Sequence, residues 1–271
     1  MTRRSTLLRS AVALSSVLLA GCATGEAETA PDRLAQLFAD EITTVDLTHP
    51  VSAEAPFWPG PESSPFVHDT LSAHADGAPS MAAYATPEHF GTHFDAPVHG
   101  GMGLPSVDRV PITELFGPAV VVDVREAAAL DPDYAVSVDD IQAWESEHGA
   151  IPPGAIVLMR SGWADRWDEG DAYYNQDAQG QLHFPGFSVE AARYLVDSGN
   201  VAGIGVDTGS VDPGNADGFP VHGIGNGSGL FHLENVADLT ALPASGAYLI
   251  VAPIKIAGGS GGQVRVFAVV P

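Results

Sequence analysis

Apolar and β-branched residues gather along the chain in short continuous runs of five to eight residues. Runs of this length, bounded by turn residues, are typical of buried strands, whereas helices usually need about ten residues or more. The 30 glycines and 21 prolines of the chain predict many loops between these runs. The predicted strands are Ile42–Leu47, Ala119–Val124, Ala155–Met159, Val201–Val206, Ala247–Ile254 and Val264–Val270.

Two helices are predicted from their own start signals. Ser137 begins a helix that runs to about His148, because a serine side chain accepts a hydrogen bond from a free backbone N–H of the first turn. Ser188 begins a second helix to about Ser198, and Gly199 ends it. No internal repeat interrupts the rest of the chain. The pattern therefore predicts an α/β fold, a single domain with a mixed β-sheet core.

The first 22 residues resemble an export signal. Three arginines precede an apolar run at 11–20, and no acidic residue occurs before Glu26. A charged start and a short apolar stretch are typical of a secretory signal, and the stretch is too short to span a bilayer as a stable helix. The run ends in Leu19-Ala20-Gly21-Cys22, which resembles a bacterial lipobox, where the cysteine carries the lipid. An ordinary signal peptide with a chance cysteine is the alternative, and Sec and Tat export both stay open.

The chain is therefore expected to divide into three parts. Residues 1–22 form a lipoprotein signal peptide with the lipobox Cys22, residues 23–40 a flexible tether, and residues 41–271 the folded domain. The mature protein is expected in the bacterial cell envelope, on the periplasmic or outer face of the membrane.

The charge of the chain excludes several partners. Lys and Arg number 11 against 34 Asp and Glu, for a formal net charge of −23. Such an acidic surface repels nucleic acid and anionic lipid headgroups, so membrane contact is expected only through a lipid on Cys22. The one cysteine also excludes a disulfide framework and a cysteine-rich zinc site.

Four side chains that can ligate a metal lie within residues 89–99. His89, His93, Asp95 and His99 have offsets of 0, 4, 6 and 10. A straight strand would separate His89 from Asp95 by about 20 Å, and a helix would turn them about 240° apart. The chain must therefore bend, and the glycine and the proline of this stretch permit bends. Two imidazoles and a carboxylate at such a bend predict a first-row metal site, with zinc the leading candidate and manganese next.

This stretch reads His-x-Gly-Thr-His-x-Asp-x-Pro-x-His and resembles the signature of the metal-dependent cyclase family, whose members include bacterial kynurenine formamidases and isatin hydrolases. The resemblance implies a swivelling β/β/α domain. Further segments are similar to the family in the same order along the chain: Val45–His49, Trp58–Gly60, Phe184–Ser188, Gly203–Thr208, Asp217–His222 and Glu234–Val236.

By position, the resemblance implies five metal ligands and one catalytic residue. The ligands are His89, His93 and Asp95 for a first ion and, for a second ion that Asp95 bridges, His222 and Glu234. The resemblance makes His99 the general acid and base, since an imidazole can take and return a proton near neutral pH. An orienting role for His99 is the alternative, and His232 is the rival donor to His222. One or two Zn²⁺ ions are expected, with Mn²⁺ possible.

The implied activity is hydrolysis of a C–N bond in a small, aromatic or cyclic amide, with water activated by the metal. Carbonyl chemistry of the cyclase or dehydratase type is one alternative, and a non-catalytic metal- or solute-binding lipoprotein is the other. Against mere binding, His99 would be a proton shuttle that a binding protein does not need. An exported location favours a cyclic amide from the environment over a kynurenine precursor.

The substrate is expected to be a small molecule held against aromatic side chains. Pocket-lining candidates are Phe57, Trp58, Phe94 and Phe187. The resemblance also implies a homo-oligomer, either a dimer or a tetramer.

Overall fold

The computed structural model describes residues 42–77 and 79–270. The predicted signal peptide, Cys22 and the tether lie outside these residues. No helix in the described part of the chain is both long and apolar enough to cross a membrane.

The described residues form twelve strands and five α-helices. The strands are β1 (Thr43–Asp46), β2 (Val67–Ser72), β3 (Met81–Ala85), β4 (His93–Asp95), β5 (Phe116–Asp123), β6 (Ala135–Val136), β7 (Ala155–Arg160), β8 (Gly186–Phe187), β9 (Val201–Val206), β10 (Phe231–Glu234), β11 (Tyr248–Pro253) and β12 (Gly261–Val270). The helices are α1 (Pro97–Gly100), α2 (Arg125–Leu130), α3 (Val138–His148), α4 (Val189–Ser198) and α5 (Pro220–Gly225). Short 3₁₀ segments cover His74–Asp76, Ile112–Glu114, Trp163–Tyr174 and Asn226–Ser228.

One eight-stranded mixed sheet dominates the fold. Its order is β1-β12-β11-β5-β7-β9-β10-β4, and a further pairing of β4 with the start of β12 closes it into a barrel-like sheet. The strands β5, β7, β9 and β10 run parallel, while β4, β11 and β12 join them by antiparallel pairing. The prediction of an α/β single domain with a mixed sheet is confirmed.

All six predicted strands are present, and the two predicted helices have the expected ends. Ser137 accepts a hydrogen bond from the backbone N–H of Asp140, whose side chain in turn accepts from the Ser137 backbone, so that a full capping box begins α3. Ser188 caps α4, and Gly199 ends it in the left-handed conformation at φ 67°.

Several elements are absent from the sequence prediction. The strands β4 and β10 have three and four residues and carry histidines and carboxylates, so no apolar run marks them. The hairpin of β2 and β3 is exposed along nearly its whole length and has no buried face to produce an alternating pattern. In both cases the signal that reveals a strand, burial of an apolar face, is missing.

The central strands are buried on both faces, as parallel strands covered on two sides usually are. On β5, Val120 and Val122 belong to an apolar cluster under α3 and α4, whereas Ala119 and Val121 face the cluster inside the barrel. Leu195 of α4 is fully buried in the first cluster. Because the central strands are buried on both faces, the sheet is a rigid support for the side chains of β4 and β10.

The pairing of β10 with β4 brings the chemistry-bearing segments together. In this antiparallel ladder Glu234 lies opposite His93, and His232 lies opposite Asp95. Cross-strand neighbours have Cβ atoms about 5 Å apart. Residues more than a hundred positions apart in the chain therefore meet by strand register.

Candidate active site

The motif at 89–99 bends as its spacing requires. Gly91 has φ +62°, a left-handed conformation that glycine adopts without strain. His93 and Asp95 follow on β4 and share one face of it, since they are two residues apart. Pro97 then begins α1, which carries His99. The sequence His-x-Gly-Thr-His-x-Asp-x-Pro-x-His therefore forms a turn, a strand and a helical turn.

The buried Asp95 carboxylate lies at the centre of the cluster. Its Oδ1 is 2.6 Å from His89 Nδ1 and 3.2 Å from His93 Nε2, and its Oδ2 is 3.5 Å from His222 Nε2. Glu234 contacts two of these imidazoles as well, with Oε2 3.3 Å from His93 Nε2 and Oε1 3.3 Å from His222 Nε2. Two carboxylates and three imidazoles thus face one another.

The outer nitrogens of His93 and His222 are held by protein acceptors. The Nδ1 of His93 lies 2.9 Å from the Gly91 carbonyl oxygen, and that of His222 lies 2.6 Å from Asp212 Oδ2. In the neutral ring each acceptor places the proton on Nδ1, so that Nε2 is the free donor atom facing Asp95 and Glu234. Asp212 is itself fixed because it accepts from the backbone N–H of Val221 at 2.7 Å.

The protonation of the cluster shows that it attracts positive charge. Burial opposes a charge on His93, but Asp95 and Glu234 raise its pKa to about 10. Burial likewise opposes a charge on His222, yet hydrogen bonds to Asp212, Asp95 and Glu234 raise its pKa well above the ordinary value. The facing imidazoles in turn hold the pKa of Asp95 well below its usual range.

The donor set fits a divalent first-row metal ion. His93 Nε2 and Asp95 Oδ2 are buried and have no hydrogen-bond partner within the described residues, which is unusual for buried polar atoms. Three groups of donor atoms share Asp95, and within each group the atoms lie within 4.8 Å of one another. The groups are His89, Asp95 and His99; His93, Asp95 and Glu234; and Asp95, His222 and His232. Imidazole and carboxylate together suit zinc and manganese.

The structure brings all six predicted site residues into one cluster, but it does not divide the ligands into the two sets that the resemblance implies. Glu234, expected only on the second ion, faces His93 as closely as His222. The rival donor His232 is also present and fully buried. Burial lowers the pKa of His232 to about 3, and neither ring nitrogen finds an acceptor in the described chain. Asp212 therefore distinguishes His222 from His232.

His99 lies at the open side of the cluster. Its ring stacks on His89 with centroids 4.0 Å apart and lies 5.4 Å from the His222 ring. Loss of water on the side that faces these rings lowers the pKa of His99, an effect that Asp95 partly offsets. Although the residue is exposed, one ring nitrogen is near enough to His89 and Asp95 to be a ligand atom. Both a proton-transfer role and a ligand role are compatible with this position.

A cavity of about 260 Å³ is lined by Asp212, the hydrogen-bond partner of His222, although none of the six site residues lines it. Trp58 and Phe219 line it, with ring centroids 6.0 Å apart, and the Phe219 ring lies 5.5 Å from the His222 ring. Phe219 is 57% exposed and therefore accessible to a ligand. These two rings offer a flat apolar molecule a surface close to the candidate ligands.

Of the predicted aromatic lining, only Trp58 borders this cavity. Phe94 and Phe187 are fully buried core residues, so their prediction as lining is wrong. Phe94 alternates with His93 and Asp95 on β4 and therefore points to the opposite face. Phe57 is partly buried against the same aromatic cluster as Trp58 but does not line the cavity.

Sequence reasoning missed three residues that support the ligands. Asp212 follows β9 and hydrogen-bonds to His222. The Ser260 hydroxyl contacts the outer nitrogen of His89, and Glu88 accepts a hydrogen bond from that hydroxyl. Although partial burial opposes its ionisation, hydrogen bonds from the hydroxyl and amide of Ser260 lower the pKa of Glu88. Glu88 precedes the motif directly, which is the one sequence signal that points to it. Ser260 lies in a Gly-Gly-Ser-Gly-Gly run that looks like a linker.

The closed mixed sheet holds a buried carboxylate–imidazole cluster, a donor set of the kind that metal-dependent hydrolases use. The Cyclase family model, described as "Putative cyclase", matches residues 45–213. The chain belongs to this family, as the signature motif predicts. It is an enzyme that hydrolyses C–N bonds of small molecules.

Named relatives share most of the chain. Isatin hydrolase of Roseibium aggregatum is 35% identical over 252 residues, which covers 88% of this chain and 95% of the relative. Kynurenine formamidase of Salinibacter ruber is 27% identical over 227 residues, covering 83% and 96%. Among solved structures, isatin hydrolase A of Ralstonia solanacearum has a TM-score of 0.83 at 34% identity, covering 96% of this chain and 100% of that one.

The contacts of the cluster predict how metal content responds to substitution. Asp95→Ala should abolish metal binding, because Asp95 contacts every group of donors. His222→Asn should weaken it, whereas the matched His232→Asn should retain wild-type content, since His232 has no acceptor to orient it. Elemental analysis of the purified proteins measures this, with unfolding curves to exclude a folding defect. Equal metal loss in the two histidine variants would contradict the assignment of His222.

Proposed function

We propose that this chain hydrolyses the C–N bond of a small cyclic aromatic amide such as isatin. The observation that carries the proposal is the pair of rings of Trp58 and Phe219, since a flat ring that stacks on Phe219 would lie near the His222 ring, 5.5 Å from that of Phe219. The greater identity to isatin hydrolase than to kynurenine formamidase, 35% against 27%, supports the cyclic substrate.

We further propose that His89, His93, Asp95, His222 and Glu234 hold one or two zinc ions, with manganese as the alternative. The bound metal would supply Lewis acidity and an activated water at neutral pH. In the reaction, a C–O bond forms between water and the amide carbonyl, the C–N bond breaks, and the nitrogen gains a proton.

The residues of the chain supply the rest. Hydrogen bonds from Nδ1 fix the orientation of two rings, that of His222 through Asp212 and that of His93 through the Gly91 carbonyl. Their metal-binding nitrogens therefore do not reorient during turnover. His99 lies at the open side, within reach of a substrate, and transfers the proton that water loses to the leaving nitrogen. Trp58 and Phe219 hold the ring of the substrate.

The substrate proposal predicts an order of activities. Metal-loaded protein should hydrolyse isatin with a kcat/KM at least about tenfold above that for N-formylkynurenine, and simple lactams without an aromatic ring should be slower still. A tenfold ratio corresponds to about 1.4 kcal/mol of transition-state binding. Absorbance assays of ring opening and deformylation measure this. A higher rate on N-formylkynurenine would instead assign an arylformamidase, and no turnover of any amide would refute the proposal.

The role of His99 predicts a separation of rate from metal content. His99→Ala should lower kcat by about 10²–10⁴-fold, the usual contribution of a general acid–base, while metal content and stability stay at wild-type level. His93→Ala, the control, should lose metal and activity together. Loss of metal in His99→Ala would make His99 a ligand, and unchanged activity would remove its catalytic role.

We also propose a homo-oligomer, in which the exposed hairpin of β2 and β3 contacts a second copy of the chain. An isolated two-stranded hairpin is marginally stable in water, and this one exposes Val67, Leu71, Met81 and Tyr84. Its two strands carry one acidic residue, Asp69, on a chain of net charge −23. Two acidic copies repel one another least at an apolar surface that carries so few charges.

For the N-terminus we propose the lipid anchor at Cys22 and the tether at 23–40, on the sequence pattern alone. In a bacterial host, wild-type protein should fractionate with membranes, and Cys22→Ser should release it to the soluble fraction. Light scattering of the released protein then gives its mass, expected at twice or four times that of one chain. A wholly soluble wild type would contradict the anchor, and a single-chain mass would contradict the oligomer.

A further inference from the structure

Ser260 occupies a fixed position behind His89. It lies in the run Gly258-Gly259-Ser260-Gly261-Gly262, where its carbonyl oxygen accepts from the Ala96 backbone N–H at 2.9 Å. At Gly261 there is no room for a side chain, because a Cβ would lie 2.6 Å from Cε1 of His89 and 2.6 Å from the Phe94 carbonyl oxygen. The backbone therefore packs directly on the His89 ring. What resembles a flexible linker in the sequence is a tightly held wall of the site.

The hydrogen bonds of Ser260 have a defined direction. Glu88 Oε2 accepts from the Ser260 backbone N–H at 2.8 Å and from its hydroxyl at 2.6 Å. A carboxylate only accepts, so the single hydroxyl hydrogen of Ser260 points to Glu88. The Ser260 oxygen also lies 3.0 Å from His89 Nε2. With its hydrogen already committed, that oxygen accepts, and the proton of the neutral His89 ring is on Nε2.

This direction determines which atom of His89 faces the cluster. A proton on Nε2 leaves the Nδ1 of neutral His89 as a lone pair, 2.6 Å from Asp95 Oδ1. A lone pair and a carboxylate oxygen repel one another at that distance unless a second ring proton or a metal ion lies between them. We propose that Glu88 and Ser260 are positioning residues that fix the tautomer of His89, so that Nδ1 is its metal-binding atom. The inference rests on the proposed role of His89 as a ligand.

The three ligand histidines would then differ in a specific way. His93 and His222 have their protons held on Nδ1 and present Nε2, whereas His89 has its proton held on Nε2 and presents Nδ1. Outer acceptors of this kind typically change metal affinity by about 10–100-fold when removed.

A nucleophilic Ser260 is the competing interpretation. Ser260, His89 and Asp95 are linked in the order of a serine–histidine–aspartate triad, and the glycine run matches Gly-x-Ser-x-Gly. However, the run leads into β12 and not into a helix, unlike the turn that exposes a nucleophilic serine. The hydroxyl hydrogen also points to Glu88 and not to His89. The geometry thus favours the positioning role.

The test measures metal affinity, the His89 tautomer and turnover in one set of variants. Zinc or manganese alone is titrated against a chromophoric chelator into wild type, Ser260→Ala and Ser260→Thr. Ser260→Ala should bind about 10–100-fold more weakly, and Ser260→Thr, which keeps a hydroxyl, should recover most of the affinity. In ¹⁵N-histidine NMR spectra of metal-loaded protein, one ligand histidine should carry its proton on Nε2, and this signal should be lost in Ser260→Ala.

A matched control separates this role from simple stability. The Ser161 hydroxyl also donates at 2.6 Å to a buried carboxylate, that of Asp207. Ser161→Ala should therefore lower stability but leave metal affinity and the Nε2–H signal unchanged.

Two results would overturn the inference. At saturating metal, Ser260→Ala should regain kcat to within a few-fold of wild type; a persistent loss above about 10³-fold, or labelling of Ser260 by a serine-directed organophosphorus reagent, would make it a nucleophile. Wild-type metal affinity in Ser260→Ala would remove the positioning role. Failure of the proposed function is distinct, because wild type itself would then neither bind metal at His89 nor hydrolyse an amide.

Discussion

The buried carboxylate of Asp95 is the constraint around which the site is built. An ionised carboxylate without exposure to water is costly unless positive charge or hydrogen-bond donors compensate it. Here three imidazoles face it, from His89, His93 and His222. The fold holds it rigidly, because β4 pairs with β10 on one side and with β12 on the other. The strand pairings that close the sheet therefore also bring the residues of the site together.

A second layer of acceptors surrounds the imidazoles and turns a cluster of donors into an oriented site. Each of the three rings has its outer nitrogen held by a different kind of group: the Gly91 carbonyl for His93, Asp212 for His222 and the Ser260 hydroxyl for His89. Orientation fixed before binding lowers the cost of binding a metal. The ring nitrogens are therefore already oriented for binding an ion.

Much of the fold and the core of the site can be read from the sequence, and the reasons are local. Six strands of the main sheet are apolar runs, and the helix caps are single serines, so both are visible within about ten residues. The motif at 89–99 is visible for the same reason. His222 and Glu234 are reached only by family resemblance, because the contact of Glu234 with His93 is set by the register of β10 on β4. Nothing in the sequence indicates that Ser260 and Asp212 support His89 and His222, since hydrogen bonds between distant segments leave no pattern in either segment.

We propose that the cluster around Asp95 binds a catalytic metal ion. The most direct measurement is an anomalous difference map from crystals of the metal-loaded protein, collected on both sides of the zinc or manganese absorption edge. We expect a peak within about 2.0–2.2 Å of an Asp95 oxygen and of a ring nitrogen of His93, the distances usual for these ligands on zinc. A fully loaded, active enzyme with no anomalous peak in contact with Asp95 would contradict it.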